Sequence, residues 1–350
     1  MALSASLNYA FLSIDDLLDN GVQGLHQRLL NAGWTLVEEL SAAVGAQDRV
    51  YYSVGESGEL ALWLRATHDS GSEQVHFRAY SYWDVGTPGT GYNGVGDVAG
   101  NTCVQLVNGA MQGWIVADAD GVAIVADIDG GTTYNKGYFG AASPIVPSQR
   151  NFYGRLAGPA TGTNQTGTTT LLFAAGTDFT DVEPGQQLWV VNQDVTSGPA
   201  NVERVQIDSV DIPNRRLELD SALVEDYDAL AIVAVDPQPM ILWGGSAGTF
   251  PSAAVALHHT DAYVSSSVAR KSWADAVGLS EFSTEDYGHV ALAPNVFYDL
   301  TAGRQHIKGQ LPRIVRPFTG PLAALDDVVV TADTYRAFPD GADFFCVRET

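Results

Sequence analysis

Apolar residues Ile14, Leu17, Leu18, Val22, Leu25, Leu29 and Leu30 recur at three- and four-residue spacing, the period that stacks side chains along one face of an α-helix. Ser13 with Asp16 gives a capping-box-like start and Asn31-Ala32-Gly33 a stop, so one amphipathic helix is predicted. Beyond it the period changes. RVYYSVG (49–55), ELALWLRAT (59–67), QVHFRAYSYWDV (74–85), QGWIVADA (112–119) and GVAIVADI (121–128) are separated by turns such as GESGE and HDSGSE. That is the pattern of antiparallel strands with short connections. A helix laid on the apolar face of such a sheet predicts an α+β domain over residues 1–155. The glycine-rich stretch 85–102 interrupts it.

The Gly/Thr-rich segment RLAGPATGTNQTGTTT (155–170) has the composition of a linker. Five short strand-like segments follow: TLLFAAG, QQLWVVNQ, VERVQIDSVD, RRLELDS and LAIVAVD, closed by the proline-marked DPQPMILWGG. Strands that short and that close together predict a small β-barrel or β-sandwich inserted over 156–240. Residues 241–350 hold further β segments, the last two of which, 306–318 and 326–349, are expected to return to the first domain. The predicted fold class is therefore mainly β (α+β): an antiparallel sheet domain with an N-terminal helix, plus an inserted small β-barrel or β-sandwich.

Charge narrows the partners. Forty-one acidic residues against eighteen Lys and Arg give a formal charge of −23, and only Lys136, Lys271 and Lys308 are lysines. Phosphate contacts need clustered basic residues, so nucleic acid is excluded as a partner. Self-repulsion of that size is relieved by salt, which points to a halophilic protein. No run is long enough to cross a bilayer, and MALSASLNYAFLSIDD has neither a basic nor a long apolar region, so neither a membrane partner nor an export signal is expected.

Several motifs carry candidate chemistry. Asp118 and Asp120 start like a calcium loop, but Val122 and Ala123 stand where the loop needs a ligand and a glycine, while Asp120-Gly121 between apolar runs predicts a hairpin. Gly89, Gly91 and Gly94 satisfy G-x-G-x-x-G without a helix opening behind them, so no cofactor is expected. Ser246 is central to a G-x-S-x-G string with His258 and Asp261 downstream, the composition of a hydrolase triad. Pro251 and the absence of alternating strands and helices oppose that context, so the chain is expected not to be an enzyme. His258, His259 and Asp261 are also an awkward metal set, because neighbouring strand residues point to opposite faces. Cys103 and Cys346 have no metal-ligand spacing, and their pairing is open. Asn164-Gln165-Thr166 is a glycosylation sequon in a loop.

Tyr80, Tyr82, Trp83 and Tyr92, with Trp63, form an aromatic cluster suited to sugar stacking or to a subunit interface. Alternation in HFRAYSYW puts His76, Arg78, Tyr80 and Tyr82 on one face, free for contact, and Phe77, Ala79 and Trp83 mostly on the other.

The order of these segments resembles virion structural proteins of tailed bacteriophages and tailed haloarchaeal viruses. An early helix, GWTLVEE, VYYSVGESGELALWLRAT, YSYWD, the hairpin WIVADADGVAIV with GYFG, a Thr-rich β insertion with VNQ and NVERVQIDSVD, and the closing DDVVVTADTYRAFPDGADFFCVRE carry the likeness. The resemblance implies a repeated subunit in the virion, in the tail (baseplate, tail tip or neck), whose partners are copies of itself and other virion proteins. A head turret or decoration protein contacting capsid or a host surface glycan is the second expectation. A serine hydrolase or carbohydrate-active enzyme using Ser246 is the third.

Overall fold

A computed structural model of the chain describes residues 3–56, 62–80, 82–85, 87–92, 95–96, 102–107, 109–142, 152–158, 160–180, 182–191, 202–227, 229, 231–234, 240–244, 253–257, 264–272, 292–299, 306–317, 322–340 and 343–349. The first part runs β1 (Ser4–Phe11), α1 (Ile14–Asp19), α2 (Leu25–Asn31), β2 (Thr35–Ser41), β3 (Asp48–Ser53), β4 (Leu62–Asp69), β5 (Gln74–Tyr80), β6 (Tyr82–Asp84), β7 (Thr90–Tyr92), β8 (Val95–Gly96), β9 (Cys103–Gln105), β10 (Met111–Ala117), β11 (Gly121–Asp127) and β12 (Tyr134–Ala141). The protein is mainly β with antiparallel sheets, as the residue pattern predicts.

The single predicted helix is two. Ser13 caps α1, its Oγ accepting from the Asp16 amide at 3.1 Å, while the Asp16 carboxylate accepts from the Leu12 amide at 2.7 Å. The helix then stops, because Gly21 turns to φ +32° and a side chain at Gly24 would collide with the backbone of Asn20. Both glycines sit inside the apolar period, which continues across the break through Leu25 and Leu29. Val22, in the turn between the helices, is left exposed.

Strands β2 to β5 form a meander, and β1, β10, β11 and β12 form a second sheet. Their apolar faces pack on each other: Leu64, Val75 and Phe77 meet Ile115, Ile124 and Phe139, with the Phe77 and Phe139 rings stacked at 3.7 Å. The two helices add Ile14, Leu17, Leu25 and Leu29 to this core. A partner sheet, rather than a helix alone, thus covers the apolar face of the meander.

The second sheet is also covered on its other side, which is why β11 and β12 are buried along their whole lengths. Near-continuous apolar runs such as GVAIVAD are what burial on both faces requires. The cover comes from the C-terminal strands. The last part of the chain runs β19 (Met240–Gly244), β20 (Ala253–Leu257), β21 (Val264–Ser272), β22 (Leu292–Asp299), β23 (His306–Pro317), β24 (Asp327–Val330), β25 (Asp333–Asp340) and β26 (Asp343–Arg348). Together with the second sheet they make one antiparallel ribbon of twelve strands, β1-β10-β11-β12-β19-β20-β21-β22-β23-β26-β25-β24. The ribbon turns back on itself, so that Ile314, Phe338, Phe345 and Val347 pack against Trp114, Val125, Tyr134 and Tyr138.

Between β12 and β19, which pair directly, lie β13 (Tyr153–Arg155), β14 (Thr170–Leu172), β15 (Gln187–Val191), β16 (Val202–Asp211), β17 (Arg216–Leu219) and β18 (Ile232–Ala234). Their order β13-β18-β15-β16-β17-β14 is closed by a bridge between Leu156 and Phe173 and by the Ala157 amide on the Leu172 carbonyl at 2.9 Å. The result is a six-stranded barrel with its own core, including Phe152, Phe173, Phe179, Leu188, Leu217 and Tyr227. Residues 155–170, linker-like in composition, belong to this barrel: Arg155 ends β13, Thr170 opens β14, and Asn164 ties down the loop between them. Gly and Thr recur there because the loop turns tightly, with positive φ at Gly158, Gly162 and Gly167.

Candidate functional site

The densest polar chemistry among the described residues is the turn from β10 to β11, residues 118–120. Asp118 is buried, and its Oδ1 accepts from the amides of Asp120 at 3.0 Å and Gly121 at 2.9 Å. Its Oδ2 meets the guanidinium of Arg313, buried on β23. Trp34 Nε1 donates to the Asp118 carbonyl at 2.7 Å, Ser53 Oγ to the Ala119 carbonyl at 2.5 Å, and the Ala141 amide to the Asp120 carbonyl at 2.7 Å. Glu56 donates its amide to Asp120 Oδ1 at 2.8 Å. Burial pushes the Asp120 carboxyl up, against the pull of that amide. A Cβ at Gly140 would collide with the Asp120 carbonyl, and one at Gly121 with the Tyr138 hydroxyl. Both glycines are needed so that β12 can close on the turn.

This arrangement gives the Asp118 carboxylate a structural part. Both Asp118 oxygens are committed to donors, one of them already cationic, so the carboxylate acts as a lock between strands and not as an open ligand. No group of three His, Cys, Asp or Glu positioned for a metal occurs among the described residues. Arg313, the counter-charge, has no sequence signal near the turn.

The aromatic expectation needs correction. Tyr80 and Trp83 are not on a free face: they are 5% and 0% exposed, in a small second core with Val50 and Trp63 on the far side of the meander. Alternation holds through β5, where Val75, Phe77 and Ala79 enter the main core, but does not carry on into β6, which pairs with β7 in a separate hairpin. That hairpin lays Gly91 over the Tyr80 ring and turns Trp83 to the Tyr80 side. Trp83 Nε1 donates to Glu38 Oε2 at 2.7 Å, and the Gly89 amide donates to the same carboxylate, fixing the hairpin. Tyr82 and Tyr92 face each other across that hairpin in backbone register. Gly89 and Gly91 of the dinucleotide-like string therefore serve a hairpin.

Ser246, His258, His259 and Asp261 lie outside the described residues. The sequon residue Asn164 is fully buried and donates both Nδ2 hydrogens, to the carbonyls of Gly158 and Leu172, so a glycan cannot be carried there in the folded chain. Cys103 on β9 and Cys346 on β26 are separate buried thiols, and burial pushes Cys346 up to about 12. Neither thiol should react with N-ethylmaleimide at neutral pH in native buffer, since the thiolate is the nucleophile and both are inaccessible. Intact mass should show both alkylated only once denaturant is added; rapid native labelling would contradict the buried positions.

Fold and site together define an antiparallel β protein: a folded-back ribbon of strands that carries a closed β-barrel between two neighbouring strands. No protein-family model matches the sequence, and neither does any curated protein.

Proposed function

We propose that the chain is a non-enzymatic structural subunit of a tailed-virus virion, built into the tail at the baseplate, tail tip or neck and assembling with copies of itself into a ring. The observation that supports this most is the mounting of the barrel. Its two ends join β12 and β19, strands hydrogen-bonded to each other, so the barrel is anchored at both ends to paired strands, of which β12 is buried along its whole length. A rigid body with a second folded module is the form a repeated subunit takes when different surfaces must contact different neighbours. The polar groups of the 118–121 turn are consumed in locking strands together, which suits a load-holding part. The order of segments, similar to that of virion structural proteins, points the same way.

The acidic surface sets the conditions of the test. At −23 the copies repel one another in dilute buffer, and salt screens that repulsion. Light scattering of the purified chain in concentrated salt should give a discrete multiple of the chain mass, falling towards the monomer, or unfolding, as salt is removed. A monomer indifferent to salt at all concentrations would refute the reading.

A further inference from the structure

The β16–β17 hairpin ends in Asp211-Ile212-Pro213-Asn214-Arg215-Arg216, and residues 212–216 are all exposed. Ile212 is 58% exposed, an isoleucine presented to solvent at the end of a barrel whose core is otherwise complete. The tip is held rigidly. Asp211 accepts from the Asn214 amide at 3.3 Å and from Asn214 Nδ2 at 2.7 Å; the Arg215 amide donates to the Ile212 carbonyl at 3.0 Å, and the Arg215 carbonyl accepts from Phe173 at 2.9 Å. Arg215 has φ +55°, a left-handed conformation that glycine or asparagine adopts at less cost. A strained, pre-formed and solvent-facing turn is characteristic of contact sites.

The charge at this tip differs from that of the arginines held in ion pairs. Arg49, Arg65, Arg313, Arg336 and Arg348 each meet a carboxylate. Arg215 and Arg216, adjacent in sequence, form no ion pair among the described residues. An exposed isoleucine beside two unpaired cations fits an acidic surface that also offers apolar side chains.

Such a surface lies at one end of the twelve-stranded ribbon. On the end strand β24, Val329 is 68% and Val330 42% exposed, flanked by Asp326, Asp327 and Asp333. Beyond the two-residue hairpin that joins β24 to β25, alternate residues of β24 turn their amides and carbonyls away from β25, and no other strand pairs with that edge among the described residues. The opposite end is defended: β1 is bulged between Ser6 and Tyr9, Asn8 has φ +50°, and Arg28 caps the Ala5 carbonyl at 2.8 Å.

We propose that the β16–β17 tip of one copy docks on the β24 edge of the next, with Ile212 against Val329 and with Arg215 and Arg216 facing Asp326, Asp327 and Asp333. The inference rests on the reading of the chain as a ring-forming subunit and names its contact. Tip and edge are different surfaces, so the contact is head-to-tail and repeats from copy to copy until a ring closes. Asp327 and Asp333 already touch Arg336 and Arg348, but such exposed pairs hold weakly and can share a second cation. One hairpin tip covers far less than the roughly 1,200–2,000 Å² of a stable pairwise interface, so the contact acts as one of several and depends on ring closure.

The test is disulfide trapping in the full chain under salt conditions where light scattering shows assembly. The double variant Ile212→Cys with Val329→Cys should, on mild oxidation, give a covalent ladder of multimers; each single variant should give none. The two native thiols are buried and do not interfere. Independently, Ile212→Asp should raise the concentration for half-assembly at least tenfold while the monomer melts unchanged. Wild-type assembly with no ladder from the double variant, or cross-linking of Ile212→Cys to itself, would overturn the tip-to-edge contact and leave the ring reading standing. A wild-type chain that never assembles would overturn both.

Discussion

Replacing Asp118 by alanine should be the most damaging single change to the main body of the protein, lowering its stability by about 3–5 kcal/mol, the usual cost of leaving one member of a buried ion pair alone. Arg313 is buried, and the Asp118 carboxylate is its anion. The same substitution also strips the acceptor from the amides of Asp120 and Gly121, at the point where Trp34, Ser53 and Ala141 all attach. The two contributions can be separated. Asp118→Asn keeps an oxygen for the turn amides but removes the charge, and should fall between alanine and wild type. Adding Arg313→Met to Asp118→Ala should recover much of the loss, because a buried charge pair exchanged for apolar groups of similar size is often near neutral. Urea unfolding at fixed high salt, followed by exchange of the β10 to β12 amides, measures each variant. A loss under about 1 kcal/mol for Asp118→Ala would show that the pair is not the lock described.

The turn itself is legible in the sequence because apolar runs flank Asp118-Ala119-Asp120-Gly121 and its pairing is local. Its counter-charge is not: Arg313 is 195 residues away, and local pattern carries no trace of a contact that only the folding-back of the ribbon creates. The two helices show a related limit. Hydrophobic period records which face will be buried, and Leu17, Leu25 and Leu29 are indeed core, but the period is blind to the backbone break at Gly21 and Gly24. Tyr80 and Trp83 show the third. Alternation assigns faces only while the chain stays in one strand; after residue 80 it leaves β5, and a hairpin from outside the sheet converts an expected contact face into a second core. Inside the barrel the short strands are legible individually, whereas their closure depends on a bridge from Phe173 to Leu156, which lies in a segment whose composition resembles a linker. The exposed tip at Ile212–Arg216 is visible only as a turn, since nothing local says that an isoleucine there has no core to enter.

In the barrel the largest effect is expected at Asn164. It is fully buried with φ +55°, its Nδ2 donates to the carbonyls of Gly158 at 2.9 Å and Leu172 at 3.1 Å, and its Oδ1 accepts from the Leu172 amide at 2.8 Å. Its own carbonyl takes the Tyr227 amide. One side chain thus holds the 158–170 loop to β14 near the seam where the barrel closes. Asn164→Gly suits the backbone and loses only the side-chain bonds; Asn164→Ala loses them and adds about 1–2 kcal/mol for a left-handed L residue. Each buried partner left unpaired costs a further ~1–3 kcal/mol, so alanine should cost about 4 kcal/mol or more. Asn164→Asp should be worst at neutral pH, since it loses both donors and buries an anion against two carbonyls. Its sign with pH follows: burial raises the folded pKa of such an acid above its unfolded value near ~4, so the deficit is smallest at low pH and grows as pH rises through the folded pKa. Amide exchange should lose protection in the barrel strands in these variants and keep it at Ile115 and Ile124, because the barrel core shares no residue with the main one. Loss spreading equally through both would mean that barrel and ribbon unfold as one unit, and the double anchoring at β12 and β19 would then be a mechanical coupling rather than a mount for an independent module.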